Sequence, residues 1–315
     1  MISTIQSAPI DVTNWIEDEI YFNYPEGARS KLAFFPPAEG TPEFINKKRR
    51  YLYKRSDKRY PDQFWGEVVA YQVGGLLGVD VPPAYVAVNG GKDGDCAALI
   101  EWFYEDAKAQ FIPGGQYMQR MMPDFDRKRG LQHNFQTIRT LGRALTLFQG
   151  MTERWEERWT DAFLFDALIG NTDRHQDNWG YLFTRRKKGD PVVTFAPLFD
   201  NGTSLGHERF PSRLAAWSED DFLRYIRKGT HHIRWDKADL SSCGHVDLLK
   251  KMVEVFPNVE EHLRKKIEGF DTALLVPILD KLADLEMPVP LTQDRKNLYI
   301  KLIEVRHTTI RAAFR

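Results

Sequence analysis

An α+β chain with a β-rich N-terminal lobe and a helical C-terminal lobe is the fold class this sequence predicts. Three observations predict it. Short apolar runs cut by Pro and Gly fill the first hundred residues. Helical periodicity takes over after Tyr104. One β-like island then interrupts the helical part. Strand runs followed by helical runs are the signature of an α+β plan. The boundary falls at 103–110, giving an N-lobe over 1–103 and a C-lobe over 104–315.

In chain order, Ile20-Tyr21-Phe22, Lys31 to Phe35 and Arg50 to Lys54 read as strands. Asp62 to Leu77 reads as a helix. Asp62 is its expected N-cap, Val68, Val69 and Val73 form an apolar face, and Gly74, Gly75 and Gly78 loosen its end. Tyr85 to Val88 and Ala97 to Phe103 are further strands, joined by the turn 89–94. Ile138, Leu141, Leu145 and Phe148 recur at helical spacing, as do Trp155, Trp159 and Phe163. The island is a hairpin of Tyr181 to Thr184 and Val192 to Phe195 around the turn 186–190. From Val246 to Phe314 the pattern is helical, with breaks expected at Pro257, Pro277, Pro288 and Pro290.

Bulk properties remove several function classes. No apolar run reaches the roughly 18 residues of a membrane span, and the N-terminus does not read as a secretion signal. Cys96 and Cys243 stand far apart, which fits a reducing cytoplasm and offers no metal-ligand pair. Basic and acidic residues balance at 44 each, so neither direct nucleic-acid binding nor a membrane surface is expected.

The chemistry concentrates in Ile169-Gly170-Asn171-Thr172-Asp173-Arg174-His175-Gln176-Asp177-Asn178-Trp179-Gly180. Beyond the hairpin follows Phe199-Asp200-Asn201-Gly202. A polar loop with an acid and an amide thus leads through a hairpin to Asp-x-Gly. Phosphoryl transfer needs such a set: one carboxylate for the acceptor hydroxyl, an amide and a second carboxylate for a metal. Asn178 lies five positions after Asp173, the base-to-amide spacing of a kinase catalytic loop. Gly202 is the expected site of a sharp turn. A metallohydrolase would want a His-x-x-x-His pair, and His231-His232, being adjacent, point apart.

These residues resemble a known family. Asn171-Thr172-Asp173, His175, Asn178 and Pro197-Leu198-Phe199-Asp200 look like the C-terminal lobe of the HipA-type serine/threonine kinases, the toxin kinases of bacterial toxin–antitoxin systems. Asp173-Arg174-His175 is also similar to the order in phosphoinositide kinases. The resemblance runs from about Gly27 to about Gly202 and thins beyond. It implies a two-lobed protein-kinase-like fold that uses ATP and Mg2+. Asp173 would be the base, Asn178 and Asp200 the metal ligands, and His175 a brace of the loop.

In the N-lobe, Gly27-Ala28-Arg29-Ser30-Lys31 resembles the family's phosphate loop, whose backbone N–H groups wrap phosphates. Lys54 would contact the α- and β-phosphates and Glu67 would anchor it. Backbone amides around Glu101, Trp102 and Phe103 would meet adenine.

The resemblance implies a protein substrate, with a translation component as the class, and a small helix-turn-helix antitoxin as partner. Two departures weigh on the toxin role. The kinase-like part begins within the first 25 residues, without the additional N-terminal β subdomain of many HipA toxins. Tyr24-Pro25-Glu26 precedes Gly27 where those toxins carry a silencing serine, although Ser30 lies in the same loop. A lipid or small-molecule kinase and a catalytically idle kinase-fold binding module are the rival readings.

Overall fold

A computed structural model describes residues 4–18, 31–90, 95–105, 107–148, 150–151, 153–214 and 216–315. Among them the elements run β1 (Ile10–Asp11), β2 (Ile16–Glu17), β3 (Lys31–Phe35), β4 (Tyr51–Lys54), α1 (Phe64–Leu77), β5 (Ala84–Val88) and β6 (Cys96–Glu101). Then come β7 (Ala109–Pro113), α2 (Gly114–Met121), α3 (Phe135–Phe148), α4 (Trp155–Ile169), β8 (Gly180–Thr184) and β9 (Val192–Phe195). The last are α5 (Glu219–Lys228), α6 (His245–Val255), α7 (Glu260–Gly269), α8 (Leu275–Ala283) and α9 (Gln293–Ala313).

The chain forms two units. The first gathers Met1–Phe103, Asn201–Ala216 and Asp271–Leu302; the second gathers Tyr104–Asp200, Trp217–Phe270 and Ile303–Arg315. This differs from a single cut at 103, because parts of the helical region pack on α1. The Trp65 indole donates to the Val289 carbonyl at 3.1 Å, and Arg295 pairs with Asp62 at 2.7 Å. Short-range periodicity carries no sign of such returns.

In the first unit, six strands form one sheet in the order β1-β5-β6-β4-β3-β2. Only the β1–β5 pair is parallel. Tyr51, Tyr53, Tyr85 and Leu99 alternate along their strands into a core shared with Trp15, Phe34 and Ile45. Helix α1 is apolar nearly all round and buried nearly all round. Gly78 closes it in the left-handed region at φ 67°. Gly74 and Gly75 sit inside the helix and do not loosen its end; a Cβ on Gly74 would meet the Val81 side chain at 2.5 Å. Asp62 is not the cap, which falls on Gln63 without a side-chain bond. Its carboxylate is spent on Arg295 instead. Ile20-Tyr21-Phe22 and part of the 89–94 turn lie outside the described residues.

In the second unit, β8 and β9 form the expected antiparallel hairpin. Strand β7 extends it to a sheet of order β7-β8-β9. The sequence does not announce β7, a half-exposed edge strand ending in proline. Helix α5 is likewise not announced, since it contributes only Phe222 to the buried core. A capping box at Ser218 and Asp221 fixes its start. Phe135, Trp155, Trp159, Phe163 and Phe256 interlock as the aromatic core. Pro277 does not break a helix. It is the third residue of α8, within the first turn, where an N–H would have no intrahelical partner.

Candidate active site

In the first unit, the β3–β4 register puts Lys31 opposite Lys54. Directly opposed residues of an antiparallel pair share a sheet face, so both lysines stand on one face. Lys54 is 2% exposed, and its Nζ lies 2.5 Å from Glu67 Oε1 on α1. Two charges this deep in the protein are tolerable only together. The other oxygen, Glu67 Oε2, accepts the Asn201 backbone N–H at 2.8 Å. Asn201 directly follows Asp200, so Glu67 ties the strand lysine to the stretch that begins at the metal-ligand candidate.

Gly27, Ala28, Arg29 and Ser30 lie outside the described residues, while Lys31 opens β3. The expectation for adenine needs correction at two positions. The Glu101 and Trp102 amides already donate to the carbonyls of Pro83 and Arg50, both at 2.8 Å. Neither is a donor for a base. The Trp102 and Phe103 rings stack at 6.0 Å, and the Arg50 guanidinium lies 5.7 Å from the Trp102 ring. The Glu101 carboxyl is pushed up by burial, against the Tyr51 hydroxyl that donates to it at 3.1 Å.

In the second unit, α4 ends at Gly170 in the left-handed region, φ 65°. The Arg306 guanidinium occupies the space where a Cβ on Gly170 would project. The loop then folds on itself. Asn171 Oδ1 accepts the Asp173 N–H at 2.9 Å, and Asn178 Nδ2 donates to the Asp173 carbonyl at 2.9 Å. With its nitrogen so used, Asn178 is left with oxygen as its acceptor atom, the kind a hard cation takes. His175 Nδ1 accepts the Asp177 N–H at 3.2 Å, which makes it a brace within the loop. Asp173 is half-buried.

Asp200 has φ 58°, a left-handed conformation for a non-glycine residue. The sharp turn expected at Gly202 is made at Asp200 instead. The Gly202 backbone packs beside Gly66 of α1, 3.5 Å from where a Cβ on Gly66 would be, an ordinary contact distance. Strain of this kind persists only where neighbouring structure enforces it.

In the second unit the enforcing residues are Asp166 and Arg174, to which no motif in the sequence points. Asp166, on α4, is fully buried, as is Arg174. Arg174 Nη2 and Nε donate to the two Asp166 oxygens at 2.7 and 3.0 Å. Its Nη1 donates to the carbonyls of Asn178 at 3.2 Å and Phe199 at 2.5 Å. One guanidinium therefore fixes the backbone at Asn178 and immediately before Asp200. Asn171 and His231 complete the shell of Asp166, at 3.2 and 3.0 Å. Burial pushes the Asp166 carboxyl up, but Arg174 and His231 outweigh it and hold the group at about 2. A usable sign was present in the sequence: a lone Asp in Phe163-Leu164-Phe165-Asp166-Ala167-Leu168-Ile169 must have a partner.

His231 and His232 do point apart. His231 meets Asp166, while His232 Nδ1 lies 3.1 Å from His133 Nδ1. His133 Nε2 accepts from the Trp179 indole at 3.0 Å, so His133 donates from Nδ1 to His232. Burial, aided by nearby histidines, lowers His133 well below its ordinary value. His232 and His245 fall to about 4 for the same first cause. No group of three or more His, Cys, Asp or Glu suited to a metal occurs among the described residues. No helix among them is long and apolar enough to cross a membrane.

A two-unit α+β protein with a buried Lys–Glu pair and an Asp–Asn loop feeding a hairpin and Asp-x-Gly belongs to the kinase-like class. The family model of the HipA-like C-terminal domain matches residues 25–266. The chain belongs to this family, and the match continues past Gly202, where the motif resemblance thins. Residue-level similarity to a named relative is short. The chain is 44% identical over 45 residues to the serine/threonine-protein kinase CtkA of Helicobacter pylori, 14% of this chain and 13% of that protein's length. The fold likeness is broad. A crystal structure of the H. pylori proinflammatory kinase CtkA matches with a TM-score of 0.73 at 18% identity, over 97% of each chain. HipA of Shewanella oneidensis MR-1, solved with HipB and operator DNA, matches with a TM-score of 0.54 at 11% identity. That match covers 92% of this chain and 67% of that one. The fold is thus that of the HipA-like kinases.

Proposed function

We propose that this protein is an ATP- and magnesium-dependent kinase that transfers the γ-phosphoryl group to a serine or threonine hydroxyl of a protein in the cytoplasm. The observation that carries the reading is the buried Lys54–Glu67 pair, 2.5 Å apart, with Glu67 also holding the N–H next to Asp200. A structural ion pair has no need of that second tie, whereas a phosphate clamp that must act in concert with a metal ligand does.

The donor chemistry fits magnesium. Asn178 offers an amide oxygen and Asp200 a carboxylate, both hard ligands. Magnesium, when bound, neutralises charge on the phosphate oxygens. Lys54 holds the α- and β-phosphates, and Lys31 on the same sheet face adds a second cation. Asp173 orients the acceptor hydroxyl and takes its proton as the new oxygen–phosphorus bond forms. ADP leaves with the electrons of the broken bond. Arg174 and His175 keep the loop in shape. A translation component is the proposed substrate class. A small helix-turn-helix protein is the partner class to look for, since the Shewanella HipA was solved with HipB and operator DNA.

The test is incubation with radiolabelled ATP, in magnesium and in EDTA, with a cell lysate or a lipid extract as acceptor. Label in protein, dependent on magnesium, is the expected result. No turnover would refute the kinase reading, and faster labelling of lipid would refute the protein acceptor.

A further inference from the structure

Arg295, near the start of α9, is 3% exposed and yet makes no contact that the reaction itself would use. Its Nε donates to Asp62 Oδ2 at 2.7 Å and its Nη2 to Asp62 Oδ1 at 3.3 Å. Nη1 donates to the Gly206 carbonyl at 3.1 Å and Nη2 also to the Arg209 carbonyl at 2.8 Å. The planar fork thus joins the start of α1 to the segment that follows Asp200. Few side chains other than arginine span a carboxylate and two carbonyls at once.

That segment is strained. Asp200 and Leu205 both have φ 58°, and Leu205 is fully buried. A side chain in this region crowds its own backbone, so each residue is held there only by its surroundings. Three ties resist relaxation. Arg174 holds the Phe199 carbonyl just before Asp200, Glu67 holds the segment at Asn201, and Arg295 holds it at Gly206 and Arg209. Leu205 lies between the ties of Glu67 and Arg295 in sequence, and Asp200 directly precedes the first of them.

We infer that Arg295, locked by Asp62, is a positioning residue for metal binding: it keeps the Asp200–Leu205 stretch in the conformation that presents Asp200 to magnesium. The inference rests on the kinase reading, and its test separates the two. Arg295→Met removes the fork. Arg295→Lys keeps the charge and loses the geometry. Asp62→Asn keeps the shape and weakens the lock. ATP turnover is measured against magnesium concentration, nucleotide affinity is measured in EDTA, and thermal melting checks folding.

The expected result for each variant that folds is a magnesium requirement raised about tenfold, the scale of one charge-assisted hydrogen bond. Turnover should recover at high magnesium, and affinity in EDTA should match the unaltered protein. The shift should be smallest in Asp62→Asn, the variant with the mildest change in packing. An unchanged magnesium requirement, or an equal loss with and without magnesium, would overturn the inference while leaving the kinase reading intact. Absence of turnover in the unaltered protein would overturn both.

Discussion

Two buried ion pairs, one in each unit, look alike and differ in what they hold. Lys54 and Glu67 have side chains 3% exposed each; Arg174 and Asp166 have side chains 1% and 0% exposed. The lysine is a compact point charge on a flexible stem, suited to following a phosphate. The arginine is a rigid fork, and it is committed to one carboxylate and two backbone carbonyls. In the proposed kinase the first pair faces the nucleotide, whereas the second fixes the backbone at Asn178 and Phe199. A buried charge is therefore no guide to catalysis until its partners are named.

Breaking the second pair should have the largest effect on folding. Arg174→Met leaves the Asp166 carboxylate buried without its main counter-charge and two carbonyls without a donor. The expected loss is about 3–5 kcal/mol, read from urea denaturation. A loss below about 1 kcal/mol would mean that solvent reaches Asp166, contrary to its full burial.

Acid should weaken the second unit in two stages. His232 and His245 lie at about 4 when folded against 6.5 when free, so the unfolded chain binds protons first. Their contribution is complete above about pH 6.5 and fades as pH falls towards 4. Asp166, at about 2 against 3.8, is also depressed. Its contribution, about 2 kcal/mol from that difference, is present above pH 4 and is lost as pH falls through 2. Urea midpoints across this range should decline in both windows. His232→Asn should lessen the decline between pH 6.5 and 4, His245 still contributing, and leave the lower window unchanged.

Glu67→Gln sharpens the comparison, because it should separate function from folding. The amide keeps an acceptor for Asn201 and removes the counter-charge of Lys54. Stability should fall by about 3 kcal/mol, the low end of the range for Arg174→Met, because the amide still accepts from Asn201 and no backbone carbonyl loses its donor. Turnover should fall on the order of 10²-fold. A stability loss as large as that of Arg174→Met, with turnover preserved, would make the two pairs equivalent scaffolds.

The same contrast explains how much could be read from the sequence. The pairing of Lys54 with Glu67 was legible from a strand lysine followed by a helix glutamate, an order that two exposed charges could also produce; the 2.5 Å contact and the burial of both decide for the pair. The hairpin and α4 were legible from alternation and helical spacing. Arg174 lay in plain view within the loop, but its partners are two carbonyls and a residue eight positions upstream, and spacing rules do not report such bonds. The left-handed turn was placed at Gly202 because glycine is the residue that adopts it freely, whereas neighbouring ties impose it on Asp200. Arg295 was invisible for a related reason: its bond to Asp62 spans 233 positions.

The most direct measurement is turnover and calorimetric ATP affinity on one preparation of Asp173→Asn beside the unaltered protein. Asp173 is the proposed base, and its carbonyl receives the Asn178 amide, a bond that the substitution leaves in place. Nucleotide affinity within about twofold of the unaltered protein, with turnover lower by on the order of 10³-fold, is the result this account predicts. Turnover unchanged by the substitution would contradict it.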